Sequence, residues 1–318
     1  HPRATQPMPA LPNDAFERAP LCCLIGPTAA GKTAFALEVA EAAGAEILSL
    51  DSMLVYRGMD VGTAKPSSDE RSRIVHHMID LVQPHERYDV QRYLTEACVV
   101  LDDVLRRGKR ALFVGGTGFY LAALLRGLFD GPEVDPELRA ALELRFDEQG
   151  PEALHAELAR IDPTSAQRIH MNDRKRLVRA LEVQQQTGRS LSDWQKQWGQ
   201  PSARESSARL VGLQLERETL DARINARCGQ MLDAGWREEA TRIRAGDGLG
   251  QSAAQALGYA EVLAWADGES TRAETEERIA QRTRRFARRQ DTWYRKFPIK
   301  WLSATQASVA EALNVFGW

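Results

Sequence analysis

Residues 21–33, LCCLIGPTAAGKT, constrain this chain more than any other stretch. A short apolar run with the pattern of a buried strand feeds a glycine-bounded loop, and the loop feeds AFALEVAEAAGA, whose alanine-rich composition and apolar spacing predict a helix. Gly26, Gly31, Lys32 and Thr33 match G-x-x-x-x-G-K-[ST], with Pro27, Thr28, Ala29 and Ala30 between the glycines. A polyphosphate needs what this pattern supplies: backbone N–H groups unobstructed by side chains, the positive end of a helix, an ammonium at Lys32, and a hydroxyl at Thr33 for magnesium. The bare string also occurs at ordinary strand-to-helix turns. Strand, loop and helix in this order predict a phosphate loop, and hence a phosphorylated ligand.

A chain of 318 residues accommodates one large domain with an insertion, or two domains sharing a core. Its net charge of -2 hides a bunching of basic residues near 168–179 and again over 278–300, so local fields matter more than the total. The four cysteines have no metal-ligand spacing, and Cys22 and Cys23 fall inside the first strand, which is the pattern of a reduced, intracellular chain. No apolar run approaches the ~20 residues that span a bilayer. Residues 1–20 are proline-rich without the apolar centre of a signal sequence, and are expected to be disordered; residues 1–7 resemble a cloning remnant, with Met8 a candidate start. These readings place the protein in the cytoplasm.

Taken in order, AEILSLDSMLVY predicts a second strand that ends at Asp51 and Ser52. Side chains at the carboxyl edge of a parallel strand point into the ligand crevice, so Asp51 is expected to face the phosphate loop. RGMDVGTAKPSSDE reads as loop, and HHMIDLVQP as a short apolar segment ended by Pro84. Residues 89–107 carry one apolar stripe at helical spacing and stop at Gly108. A strand over 111–114, a Gly-Gly-Thr-Gly turn and a helix from Phe119 to about Leu128 follow. The alternation predicts an α/β fold, a P-loop NTPase-like parallel sheet with flanking helices, built from residues 21–132 and 206–318. Residues 133–205 show helical patterns broken by Pro and Gly and predict an all-helical insertion, with starts at Asp135, Asp162 and Asn172. LVGLQLE returns as a strand, and everything from Leu220 onward reads as helix.

The last long helix points to the partner. Arg278, Arg282, Arg285 and Arg289 share one face, with Arg284, Arg288 and Arg295 beside them, while Ile279, Thr283, Phe286, Gln290 and Trp293 form the opposite stripe. Glu274, Glu276 and Glu277 sit mostly before this basic run, which favours nucleic acid over a solvated face. Arg174, Lys175 and Arg176, with Arg168 and Arg179, form a second basic cluster. Asp51 suits a structural carboxylate, a magnesium-organising acid or a general base, and spacing does not choose among them. The turn of Gly115, Gly116, Thr117 and Gly118 is either structural or presents a hydroxyl to a substrate. The six histidines show no metal-site spacing.

Seven segments together resemble one family: GPTAAGKT at 26–33, DSMLVYRGMDVGTAKP at 51–66, GGTGFYLAALLRGL at 115–128, RKRLVRALEV at 174–183, LDARINARCGQML at 220–232, LGYAE at 257–261 and RRQDTWYRK at 288–296. This set is similar to the MiaA-type tRNA dimethylallyltransferases, or tRNA isopentenyltransferases. The resemblance implies transfer of a five-carbon group from dimethylallyl diphosphate to the exocyclic amine of the adenine just 3′ of the anticodon, by a magnesium-dependent enzyme expected to be monomeric, and the cysteines and histidines show no spacing for the C-terminal zinc finger that eukaryotic relatives can carry. It implies that the phosphate loop holds the donor's diphosphate, aided by Lys32, by magnesium on Thr33 and by Arg223 or Arg227. It further implies that Asp51 accepts the amine's proton and that Thr117 places the adenine. Contact with the tRNA anticodon stem-loop is implied for Asp51, Ser52, Met53, Leu54, Thr117, Arg139, Lys175, Arg176, Leu177, Val178, Arg179, Arg288, Arg289, Gln290, Trp293 and Arg295. Leu54 departs from the family's common glutamine, and the run Arg174 to Arg176 is more basic than usual. From the residues alone, an ATP-using small-molecule or nucleoside kinase and a nucleotide-dependent RNA-binding module remain the rival readings.

Overall fold

The computed structural model describes residues 15–128, 132, 134–196 and 202–318. Among them, strands β1 (Cys22–Ile25), β2 (Ala45–Leu50), β3 (His76–His77), β4 (Arg110–Gly115), β5 (Arg209–Gln214) and β6 (Lys300–Ser303) form one parallel sheet in the order β3-β2-β4-β1-β5-β6. Every residue of β1 and β2 is buried, as expected of parallel strands covered on both faces. The crossovers are helices, among them Lys32–Ala43, Val90–Arg106 and Gly118–Arg126. Leu24, Leu37, Val39, Ile47, Leu112, Val211 and Phe316 belong to one core cluster between the sheet and its covering helices.

Register places the site. Ile25 lies beside Gly115, and Gly115 beside Leu50, in one row across β1, β4 and β2. The residues that follow, Gly26, Gly116 and Asp51, therefore leave the carboxyl edge side by side, where open parallel sheets bind ligands. Glycine is required in this row for space: a Cβ on Gly115 would lie 2.1 Å from the Leu50 carbonyl oxygen, and one on Gly26 would lie 2.6 Å from that of Leu213.

Three expectations are corrected. The tail is not wholly helical, because Lys300–Ser303 pairs with Val211–Gln214 as β6. Four residues of KWLS carry no periodic signal of their own, and the unpaired backbone of the β5 edge makes them a strand. The segment HHMIDLVQP contributes only His76–His77 to the ladder, and the polar stretch before it contains a helix, Ser68–Arg73, started by a Ser67–Glu70 capping box. The expected disorder through residue 20 also fails, since Ala15 and Phe16 are buried, Phe16 lies under the Arg204 guanidinium at 4.8 Å, and Arg18 pairs with Asp102. Residues 1–14 lie outside the described residues.

The chain divides into two compact units, residues 1–125 with 203–318, and residues 126–202, against the expected breaks at 132/133 and 205/206. The second unit is helical: Pro136–Gln149, Pro151–Ile161, Pro163–Arg168, Arg174–Thr187 and Leu191–Gln195. Asp135 and Asp162 cap helices where the sequence placed starts, whereas the third cap is Asp173, one residue beyond Asn172. Among the described residues no helix is long and apolar enough to cross a membrane.

Candidate active site

The loop after β1 closes on itself. Ala29 takes a left-handed conformation at φ 64, Gly31 caps the helix at φ 96, and the half-buried Lys32 donates from its ammonium to the Pro27 carbonyl at 2.7 Å. Burial, and then the charge of Arg227, pull the Lys32 ammonium down to about 8 against the opposing pull of Asp51. An ammonium bonded to a neutral carbonyl and set near a second cation keeps charge to offer a phosphate. Thr28, Ala29, Gly31, Lys32 and Thr33 line a cavity of about 530 Å³; Asp51, Leu54, Arg223 and Arg227 line it as well. Gly26, Pro27 and Ala30 support the loop from behind, with Ala30 fully buried. Arg223 and Arg227, two of the three arginines of the helix Arg217–Asp233, thus share the cavity with the phosphate loop, and a Cβ on Gly31 would stand 3.5 Å from Arg223 Nη1. Desolvation also lowers the Arg227 guanidinium's proton affinity, with Cys228 and Asp51 opposing.

Asp51 is half-buried, and its Oδ1 accepts from the Met53 N–H at 2.8 Å, so the acid is fixed by its own chain two residues on. The Thr117 hydroxyl accepts from the Ser52 N–H at 3.2 Å, and the Thr117 N–H donates to the Leu50 carbonyl at 3.3 Å. Because that hydroxyl spends a lone pair on Ser52, its own proton is left to donate elsewhere. Ser52 and Met53 are half-buried.

Sequence reading missed what holds the loop of residues 57–66, whose Thr63, Ala64 and Pro66 form part of the cavity wall. The buried Glu239 carboxylate accepts from the N–H groups of Asp60, Val61 and Gly62 at 2.8, 2.8 and 3.0 Å, and from the Tyr259 hydroxyl at 2.7 Å. Lys65, with only 1% of its side chain exposed, donates to Asp60, Asp80 and the Tyr56 carbonyl. A glutamate in a surface-patterned helix, Trp236–Ala245, gives no sequence signal that it clasps a loop nearly two hundred residues earlier. Glu239→Ala leaves those N–H groups without their acceptor and is expected to cost about 2 kcal/mol of stability, read from the denaturant midpoint; a change under about 0.5 kcal/mol would show that water replaces the carboxylate.

The candidate RNA contacts fall into two groups. On the helix Arg272–Tyr294 the arginines at 278, 282, 285, 288 and 289 are exposed, as is Arg295 just beyond it. Acidic neighbours reach part of this run: Arg282 pairs with Glu261, and Arg284 with Glu277 at 2.9 Å. Half-buried Trp293 packs against Gly118 and Phe119, under the Lys296 ammonium at 4.0 Å. Gln290 is a correction: it is 4% exposed and turned inward, because it falls on the stripe that packs against the sheet edge. In the helical unit, Lys175 and Arg176 are exposed, while Arg139 and Arg179 both donate to the buried Glu182 at 2.6 and 2.8 Å. Leu177 and Val178 are core residues of that unit, at 0% and 2% exposure, which corrects their assignment as surface contacts. A contiguous motif spans every face of a helix, and only some of its residues reach solvent.

Among the described residues no three His, Cys, Asp or Glu side chains form a metal cluster. The Thr33 hydroxyl, on the cavity wall beside Lys32, is the group that would hold a magnesium ion in the phosphate-loop manner. A loop of phosphate-binding sequence, a strand-end acid and two arginines thus line one crevice. Residues 54–297 match the IPP transferase family and residues 20–80 the isopentenyl transferase family. The chain is 42% identical to a tRNA dimethylallyltransferase of Geobacter sulfurreducens, covering 91% of this chain and 94% of that one, and 44% identical to one of Methylococcus capsulatus, covering 89% and 91%. Its fold is similar to the crystal structure of a tRNA isopentenylpyrophosphate transferase from Bacillus halodurans, at TM-score 0.67 and 34% identity over 94% of each chain. It is also similar to a eukaryotic dimethylallyltransferase acting on tRNA, at TM-score 0.74 and 26% identity over 90% of this chain and 74% of that one. The chain belongs to the IPP transferase family and is a transferase.

Proposed function

We propose that the protein transfers the dimethylallyl group of dimethylallyl diphosphate to N6 of the adenine immediately 3′ of the anticodon, in tRNAs reading codons that begin with U. The products are N6-(dimethylallyl)adenosine and diphosphate. The observation that carries this reading is the shared row of β1, β4 and β2, from which the phosphate loop, Gly115 and Gly116 of the Gly-Gly-Thr-Gly turn, and Asp51 emerge side by side around one cavity. As the allylic C–O bond breaks, negative charge grows on the diphosphate, and the loop amides, Lys32, Arg223 and Arg227 stand where it would be stabilised. Thr33 would hold a magnesium ion, which would supply further charge neutralisation on the leaving group. The new C–N bond forms at the adenine N6, whose proton passes to the Asp51 carboxylate, while the Thr117 hydroxyl donates to the base. The base must leave its stack to arrive there, at a cost of a few kcal/mol that backbone contacts by the exposed arginines offset. A cytoplasmic monomer remains part of the proposal.

The test incubates the protein with magnesium, radiolabelled dimethylallyl diphosphate and unmodified tRNA carrying adenine beside the anticodon. Label is expected in RNA, and only at that adenine. RNA without label, alongside conversion of ATP to ADP under the same conditions, would replace prenyl transfer by a kinase reaction.

A further inference from the structure

We infer that Gln290 and Tyr294 are positioning residues that tie the donor loop to the acceptor turn, and that Gln290 does not act as an RNA contact. The inference rests on the reading above, in which the phosphate loop holds the donor and the Gly-Gly-Thr-Gly turn faces the base. Gln290 accepts from the Thr28 N–H through Oε1 at 3.0 Å and donates from Nε2 to the Gly116 carbonyl at 2.7 Å. Only one orientation of its amide satisfies both partners, since a flip would set donor against donor and acceptor against acceptor. One helical turn later the Tyr294 hydroxyl lies 2.9 Å from the Gly26 carbonyl and 3.0 Å from that of Gly116, so a single proton is shared between the same two loops. Both side chains are buried, at 4% and 1% exposure. A Cβ on Gly116 would lie 2.4 Å from Gln290 Nε2, so the turn is built around this amide.

The physical consequence follows from where these bonds end. Each loop leaves the end of a short strand, and neither carries another long-range side-chain bond that joins it to the other among the described residues. The tie holds the loop amides and the Thr117 turn in their working geometry before any ligand arrives, so the reorganisation that would otherwise accompany phosphate binding is already done. The opposite face of the same helix carries the exposed Arg288 and Arg289. One element therefore presents cations outward and fixes both reacting loops inward.

The test uses the full chain and separates three readouts for Gln290→Leu and for Tyr294→Phe, the second removing only a hydroxyl. Inorganic diphosphate binding is titrated without RNA, tRNA binding is titrated without donor, and the melting temperature is recorded. The tie predicts that the Kd for diphosphate rises roughly tenfold in Gln290→Leu and roughly threefold in Tyr294→Phe, with the Kd for tRNA within twofold of the parent. Weakened tRNA binding with unchanged diphosphate binding would overturn it and restore Gln290 as an RNA contact. A lowered melting temperature with both affinities unchanged would overturn it too, leaving a purely structural role. Absence of prenyl transfer by the parent protein, with the diphosphate effect intact, would refute the proposed reaction and leave the tie standing.

Discussion

Asp51→Asn is expected to lower the turnover of prenyl transfer by ~10² to 10⁴-fold while leaving the Kd for diphosphate within about threefold. The substitution keeps the shape and the bond from the Met53 N–H to Oδ1, so the loop after β2 retains its anchor. What it removes is the carboxylate's ability to take a proton. An aromatic amine is a poor nucleophile while its lone pair is delocalised into the ring, and bond formation at N6 becomes productive only as that proton leaves. Single-turnover rates with saturating tRNA and donor isolate this step from binding. Undiminished turnover would remove Asp51 as the base and return it to a structural role at the strand end.

Lys32→Met is expected to lower kcat/KM for the donor by ~10² to 10³-fold, the range found when one preorganised donor to a developing anion is lost. The fold should survive. Lys32 is half-buried, its ammonium is already pulled down to about 8 chiefly by desolvation, and it donates to the Pro27 carbonyl. An unbranched apolar chain of similar length fills the same space and relieves the cost of burying a charge. The melting temperature is therefore expected to stay within a few degrees of the parent. A donor kcat/KM within threefold of the parent would mean that Arg223 and Arg227 carry the leaving group without the lysine.

These two substitutions probe different halves of one reaction, and their separation is useful. On the proposed reaction the lysine acts on charge that appears at the diphosphate, so its loss should appear in both donor affinity and rate. On the same proposal the aspartate acts on a proton at the other reactant, so its loss should appear in rate alone. A kinase reading predicts the opposite sensitivity to RNA, since the donor would then be consumed without it.

The local elements of the phosphate loop were legible in the sequence because the information for them is local. Gly31 for a left-handed turn, Lys32 and Thr33 opening a helix, and four apolar residues before them each act within a few residues of themselves. The same is true of Asp135 and Asp162, whose side chains cap helices that begin at the next residue. The family resemblance added roles to residues whose spacing left them open, Asp51 and Thr117 above all.

Other features depended on partners far away in the chain. Strand β6 exists because the β5 edge offers unpaired backbone groups, and KWLS by itself carries no strand pattern. Glu239 reads as one more acid on a polar helix until the fold brings three N–H groups of residues 60–62 to its carboxylate. Gln290, Leu177 and Val178 sit within motifs that resemble RNA-contacting segments, yet helix rotation turns them inward, and rotation is set by what each helix packs against. Sequence alone determined the strand, loop and helix that can hold a phosphate, since backbone conformation and capping are decided by neighbours in the chain. Only the tertiary structure decided which side chains surround that loop and which face away, because burial and long-range hydrogen bonds are properties of the assembled fold.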